Sequence, residues 1–352
     1  MRHVELFSGI GGFRQAMRLL SQDHGPRFDC VAYSEIDQAA VNTYRANFDT
    51  WGEIAIGDIS TFAENDAAMD AIPNFNLVTG GFPCQSFSMM GAKLGFADAR
   101  GSLFFSMCRL IEHRHPRFLL LENVKNLKTH DGGRTYQVII QSLEQLGYRT
   151  WSDIFNTSHF GLPQTRNRIY IFAARGRIPR GFDFSQELVC RHFEGLQNTS
   201  ILRFGNTSDL LSRNVPNKYF LSDRIKRTIL SNGTGGFVSR SEIDLPVARP
   251  LCATMAKMHR ACQDNYYSSI FIRSNGRTRF VGTAAQAARV PIRRLMPEEA
   301  FLLQGFDLDF VNRSRQMHAT SDCNLYKQAG NAVSVNVAYA ILSYLAHRFQ
   351  WR

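Results

Sequence analysis

The first twenty residues set the strongest limit on how the chain can fold. Val4-Glu5-Leu6-Phe7 has the length and character of a buried strand, Gly9-Ile10-Gly11-Gly12 follows at once, and Phe13, Ala16, Met17 and Leu20 recur at helical spacing. Glycines let a backbone approach a ligand closely, and a helix N-terminus offers unpaired N–H groups, so this unit reads either as a nucleotide cradle or as a plain tight turn. The pattern then repeats. Cys30 to Ser34 reads as a strand ending in Glu35-Ile36-Asp37, Gln38 to Phe48 as a helix, and Ile54-Ala55-Ile56 as a strand reaching Gly57-Asp58-Ile59. Further strands are predicted at Phe75–Thr79, Arg117–Leu121, Thr150–Phe155 and Ile169–Ala173, and further helices at Leu103–His113 and Tyr136–Leu146. Such alternation predicts an α/β fold, a doubly wound and mostly parallel sheet that binds ligands at the carboxyl ends of its strands. Glu35, Asp37 and Asp58 all fall at that edge. Singly, each could be a loop acid or a helix cap; with the glycine turn, they mark a cofactor edge.

Chemistry enters at Gly80-Gly81-Phe82-Pro83-Cys84-Gln85-Ser86-Phe87-Ser88, where an apolar run gives way to a loop. A thiol behind a proline at a strand exit is mounted as a nucleophile would be, although a free cysteine is commonly a small buried hydrophobe. The glycine-rich Met89–Gly101 reads as a flap. The run Phe118-Leu119-Leu120-Leu121 ends in Glu122-Asn123-Val124; a carboxyl at the exit of a buried strand either carries a proton through desolvation or is held in an ion pair. In Gln164-Thr165-Arg166-Asn167-Arg168 two arginines at i, i+2 on an extended segment are expected to point the same way, as fixed cations in a site or as a surface pair.

Past Arg175 the alternation stops. Residues 176 to about 290 read as short strand-like pieces, Ser269-Ile270-Phe271-Ile272 among them, broken by turns at Ser231-Asn232-Gly233 and Ser274-Asn275-Gly276. Nineteen basic and eight acidic side chains lie in 176–294, which accounts for the whole net charge of +11 in the 352-residue chain. A basic segment joined to a neutral body suits a polyanion, nucleic acid above all. A helix opened by Met296-Pro297-Glu298-Glu299 and an apolar helix over Val335–Phe349 complete the chain. The seven cysteines are scattered without a C-x-x-C pair, so neither a disulfide framework nor a metal site is expected. No apolar run reaches the roughly 20 residues of a membrane span and no signal-peptide pattern is visible, so a cytoplasmic protein with no membrane partner is expected.

Taken together, ELFSGIGGF (5–13), SEID (34–37), GDI (57–59), GGFPCQSFS (80–88), RGSLFF (100–105), ENV (122–124), QTRNR (164–168), RRLMPEEA (293–300) and QAGNAVSVNVA (328–338) resemble, in order, the motifs of the cytosine-5 DNA methyltransferase family. The resemblance covers about two thirds of the chain, and 176–290 is where that family carries its variable target-recognition region. It implies a Rossmann-like methyltransferase domain over 1–175 plus 326–352, with a smaller, loop- and strand-rich recognition domain over 176–325. Cys84 would add to carbon 6 of cytosine, Glu122 would hydrogen-bond or protonate ring nitrogen 3, and Arg168 with Arg166 would hold the carbonyl and keep the thiolate ionised. S-adenosyl-L-methionine would lie against Phe7, Gly9, Gly11 and Gly12, with Glu35 on the ribose and Ile36 over the adenine, where many members have an aromatic. Asp58 and Ile59 would meet the adenine edge, and Asn331 with Ala332 would border the methionine part. Duplex DNA would be the substrate, with a base flipped out under loop 85–101. Gln85, Ser88, Met90, Arg100 and Thr254 would contact the DNA. A monomer is implied, either with a cognate restriction endonuclease as functional partner or as an orphan enzyme. A tRNA acceptor and a non-catalytic DNA-binding regulator are the competing readings.

Overall fold

The computed structural model describes residues 1–83, 103–231, 233–234, 237–238, 241–260, 262–282, 284–287, 289–318 and 320–351. They form two compact units, the first from Met1–Asn156, Asn167–Ser200 and Val337–Arg352, the second from Thr157–Arg166 and Ile201–Asn336.

A seven-stranded sheet organises the first unit. Its strands are β1 (Arg2–Leu6), β2 (Asp29–Tyr33), β3 (Ile54–Ala55), β4 (Leu77–Gly81), β5 (Phe118–Val124), β6 (Arg149–Asn156) and β7 (Asn167–Ala174), in the order β3-β2-β1-β4-β5-β7-β6. The pairs from β3 through to β5 are parallel, while β7 is antiparallel to both β5 and β6. Leu77, Val78 and Phe118 to Leu121 are all buried, as continuous apolar runs in central parallel strands must be. The helices of this unit are α1 (Gly12–Gln22), α2 (Gln38–Asn47), α3 (Ile59–Phe62), α4 (Asp66–Ala71), α5 (Leu103–Arg114), α6 (Arg134–Gln145) and α7 (Gln186–Glu194). Phe13, Ala16, Met17 and Leu20 of α1 are buried together, as their spacing requires.

Residues 176–200 pack in this unit rather than with the basic half that follows. Phe182 meets the Phe172 ring edge-on and Phe184 meets it at a tilt, and Phe182 also meets Phe349. The Gln186 N–H donates to Asp153 Oδ2 at 2.7 Å, and Gln186 Oε1 accepts from the Asn156 N–H at 2.6 Å. Alternation of elements ends at β7, but the apolar demand of its outer face continues for another helix.

In the second unit the short strands are β8 (Gly233–Thr234), β9 (Phe237–Val238), β10 (Tyr266–Ser268) and β11 (Ile292–Arg294), with helices α8 (Asp223–Leu230), α9 (Ser269–Arg273), α10 (Ala284–Ala287), α11 (Pro297–Leu302), α12 (Leu308–His318) and α13 (Asp322–Asn331). A core of Leu221, Ile229, Ile243, Tyr266, Ala287 and Ile292 lies around the β10–β11 pair. Ser269–Ile272, read above as strand-like, is helical in α9. The Ser268 hydroxyl caps it, accepting from the Phe271 N–H at 3.1 Å while Ser268 donates to buried Asp244, and a cap with a fixed partner overrides the β-propensity of Ile-Phe-Ile. Arg293 and Glu299 form a buried two-pronged ion pair at 2.7 and 2.8 Å, and Glu299 also accepts from the Met296 N–H that precedes α11. α14 (Val335–Phe349) ends the chain; the Asp322–Phe349 stretch is apolar and long enough to cross a membrane, yet 94% of its apolar window is buried as in a core helix.

Candidate active site

The glycine turn after β1 is built from backbone that ordinary residues avoid. Phe7, Gly9 and Gly11 have φ of 52°, 54° and 87°, and Gly11 is the residue before α1. Phe7 holds the left-handed region without being glycine, a cost of the order of 1–3 kcal/mol that is characteristic of ligand sites. The Gly11 N–H closes the turn onto the Ser8 carbonyl at 2.8 Å, and the Ser8 N–H donates to the Ser34 carbonyl at 2.8 Å, which ties this loop to the one after β2. A side chain at Gly9 would point into open space, whereas one at Gly11 would collide with the Phe48 ring and stand 3.0 Å from Tyr44. Gly11→Ala is therefore expected to combine a backbone penalty with overpacking and to cost about 2–5 kcal/mol, read as a lower urea midpoint at unchanged slope.

Glu35 locks the second loop: its carboxylate accepts from the Gly9 N–H at 2.9 Å and from the Ile36 and Asp37 N–H groups at 2.8 Å each. Ile36 is 74% exposed, an apolar side chain offered at the sheet edge with nothing over it among the described residues. Asp37 caps α2 through Ala39, and Asp58 caps α3 by accepting from the Ser60 N–H and hydroxyl at 2.9 and 2.7 Å. The Ile59 side chain belongs to the core. Ser34 donates to the Gly57 carbonyl at 2.7 Å, so the loops after β1, β2 and β3 are hydrogen-bonded in series along one edge.

Sequence reasoning missed the polar layer beneath this edge. Glu5, buried in β1, accepts from the Tyr44 hydroxyl at 3.0 Å and weakly from the Arg14 N–H; Arg14 bridges to Glu53 at 2.5 and 2.8 Å and to Tyr44 at 2.9 Å. An acid between Val4 and Leu6 in a buried strand was the available signal. Burial pushes the Glu5 carboxyl from its ordinary value near 4.5 up to about 7, and burial, then Arg14 and the N-terminus, pushes neighbouring His3 down from 6.5 to about 3. The signs oppose. Between about 4.5 and 7 folded Glu5 keeps a proton that the unfolded chain has released, so its contribution to stability falls as pH rises. Between about 3 and 6.5 the unfolded chain holds a proton that His3 lacks, so that contribution rises with pH. Over pH 4.5–6.5 the two nearly cancel. Glu5→Gln is expected to unmask the His3 term, giving stability that climbs by about 1 kcal/mol per pH unit across this window in urea unfolding.

At the centre of the sheet, β5 places Glu122 opposite Gly81 of β4 and Tyr170 of β7, and sets Val124 opposite Arg168. Glu122 Oε1 lies 3.1 Å from Arg168 Nε, and the two side chains are only 11% and 19% exposed. Arg168 is further fixed by donating to the Asn167 carbonyl at 2.9 Å. Asn123, between them in chain order, donates to the Phe82 carbonyl at 2.8 Å and so ties the residue just past β4 to β5. Cys84, Gln85, Ser88, Met90 and Arg100, with the rest of the flap, lie outside the described residues.

The remaining residues belong to the second unit. Arg166 is 2% exposed and donates to the carbonyls of Leu251, Gly330 and Ala332 at 3.4, 3.1 and 2.9 Å. Arg166 directly precedes β7, which begins at Asn167, and its carbonyl accepts from the Thr157 N–H at 3.0 Å. Asn331 ends α13 exposed and Ala332 follows it buried, while Thr254 sits in a turn whose carbonyl accepts from the Lys257 N–H at 3.0 Å.

With this geometry in place, the family profile for C-5 cytosine-specific DNA methylase matches residues 1–347. The chain belongs to the C-5 cytosine-specific DNA methylase family. Among curated relatives of this methylase are the type II methyltransferase M1.ScrFI of Lactococcus lactis subsp. cremoris, 35% identical over 96% of this chain and 76% of that protein, and the type II methyltransferase M.SsoII of Shigella sonnei, 35% identical over 97% and 78%. The solved methyltransferase EhMeth of Entamoeba histolytica shares the fold, with a TM-score of 0.70 at 19% identity over 99% of this chain and 98% of that one. The methylase is thus a DNA (cytosine-5) methyltransferase on a mostly parallel α/β sheet, an activity that requires a methyl donor.

Proposed function

We propose that the methylase is site-specific, acts on duplex DNA and takes its methyl group from S-adenosylmethionine. The observation that carries this reading is the Glu122–Arg168 pair at the end of β5, with Asn123 holding the Phe82 carbonyl just past β4, on the same sheet edge as the glycine turn. The donor fits that edge: Gly9 borders open space, Ile36 offers an exposed apolar face for a purine, and Glu35 and Asp58 supply acceptors for ribose hydroxyls and an exocyclic amine. When bound, it supplies an electrophilic methyl on a sulfonium.

Cys84 as thiolate adds to carbon 6 of a cytosine turned out of the duplex, and the 5,6 electron pair moves to carbon 5, which becomes nucleophilic. Glu122 meets ring nitrogen 3 and relieves the charge that addition creates, while Arg168 holds both Glu122 and the pyrimidine carbonyl. Once carbon 5 is methylated its proton passes to water, the C–H electron pair reforms the 5,6 double bond, and Cys84 leaves as thiolate. Phe7, Gly9, Gly11, Gly12 and Ile59 shape the donor pocket, with Asn331 and Ala332 at its methionine end. In the second unit Thr254 contacts DNA, as do Gln85, Ser88, Met90 and Arg100 of the flap. The excess of basic residues in 176–294 supports phosphate contacts that offset the few kcal/mol of unstacking. A cytoplasmic monomer, working with a cognate restriction endonuclease or as an orphan, completes the reading; the relatives named as type II methyltransferases support only the pairing with an endonuclease.

Incubation with methyl-labelled S-adenosylmethionine and either mixed-sequence duplex DNA or tRNA tests it. Label is expected in the duplex alone, at carbon 5 of cytosine within one short sequence; label in tRNA, or at adenine, would refute the reading.

A further inference from the structure

Arg166 sits where three segments of the second unit meet. Its guanidinium donates to Leu251 on one side and to Gly330 and Ala332 on the other. The same stretch is stitched along its length: the Ala248 N–H donates to Pro163 at 2.7 Å, the Thr165 N–H to Ala248 at 2.8 Å, and the Leu251 N–H to Gln164 Oε1 at 3.1 Å. Gln164 in turn donates to the Leu303 carbonyl at 2.8 Å. Residues 248–251 are thus an added edge on 163–166, and the chain runs on from Leu251 through Cys252 and Ala253 into the Thr254 turn.

A second observation is independent of the arginine. A side chain at Gly330 would strike the Ala253 nitrogen and stand 2.5 Å from the Cys252 carbonyl carbon and 2.7 Å from the Ala253 Cα. These are backbone atoms, which cannot swing aside. The last turn of α13 therefore bears directly on the segment leading to Thr254, and Arg166 pins both to the strand approach that continues into Arg168.

We propose that Arg166 is a positioning residue that couples DNA recognition to donor binding by fixing the 251–254 segment against the 330–332 border. This rests on the reading above, in which Thr254 contacts DNA and Asn331 and Ala332 border the donor. In this role Arg166 acts through its three carbonyl partners: it makes the two borders one rigid piece, so ordering either by its ligand orders the other.

The test measures S-adenosylhomocysteine affinity with and without a duplex carrying the sequence the wild-type chain methylates. In the wild type the duplex is expected to tighten binding at least about 5-fold, within the usual range of coupling between sites. Arg166→Lys, which keeps a buried cation but cannot span three carbonyls, is expected to bring that factor to within about 2-fold of unity while leaving affinity without DNA nearly unchanged. Gly330→Ala, whose new methyl would push the Cys252–Ala253 backbone away while the Arg166 side chain is kept, is expected to lower the coupling factor likewise and serves if Arg166→Lys does not fold. Coupling that is absent in the wild type, or intact in the folded variants, overturns the proposal, as does a fall in kcat alone with both affinities unchanged, since that is the behaviour of a substrate contact. A wild-type chain that methylates no duplex would instead refute the underlying reading.

Discussion

Replacing Cys84 by Ser is expected to lower methyl transfer by about 10⁴-fold or more while S-adenosylhomocysteine affinity stays within about 2-fold. A thiol is a few per cent ionised at neutral pH and strongly nucleophilic when ionised; a serine hydroxyl is essentially never an alkoxide without a strong base beside it. Cytosine carbon 5 does not attack a sulfonium unaided, so nothing downstream compensates. The donor edge is built from the loops after β1, β2 and β3, hydrogen-bonded in series through Ser34, Glu35 and Gly57, and the substitution changes none of these residues, which is why donor affinity should survive. Single-turnover methylation with equilibrium binding of the product separates the two quantities.

Glu122→Gln should be the next most damaging change, lowering kcat by about 10²–10⁴-fold. The amide keeps the shape and one hydrogen bond to ring nitrogen 3 but cannot deliver a proton or balance a guanidinium. Arg168, mostly buried and 3.1 Å from the lost carboxylate, would then stand beside the reacting ring without its partner. A fall in kcat with donor affinity and unfolding midpoint unchanged distinguishes a lost proton carrier from a disturbed fold; a variant with wild-type kcat would remove Glu122 from the mechanism.

Much of this was legible in the order of residues, for reasons that can be stated. Strand length, glycine position and helical spacing in residues 4–20 are local properties, and β1, its turn and α1 follow from them. Glu122 was legible because a carboxyl at the end of a wholly apolar run is costly to bury and persists there only with a proton or a cation to offset the cost. The antiparallel insertion of β7 between β5 and β6 was not, since alternation gives the elements but not their lateral order. Nor were the partners of Arg166, which lie 85 to 166 residues away along the chain. In α9 a local signal existed and was outweighed: Ile-Phe-Ile favours a strand, but Ser268 held by Asp244 supplies a helix cap. Glu5 was legible as an oddity, a charge in a buried strand, without any indication that Tyr44 and Arg14 would gather on it.

Covalent capture tests the central claim most directly. A duplex with 5-fluorocytosine at the methylated position has no proton to release from carbon 5, so elimination of the enzyme thiol is blocked. With S-adenosylmethionine present, the wild-type chain is predicted to form a stable adduct whose mass spectrum places the base on the peptide containing Cys84. An adduct on any other residue, or continued release of methylated product from the fluorinated duplex, would contradict the account.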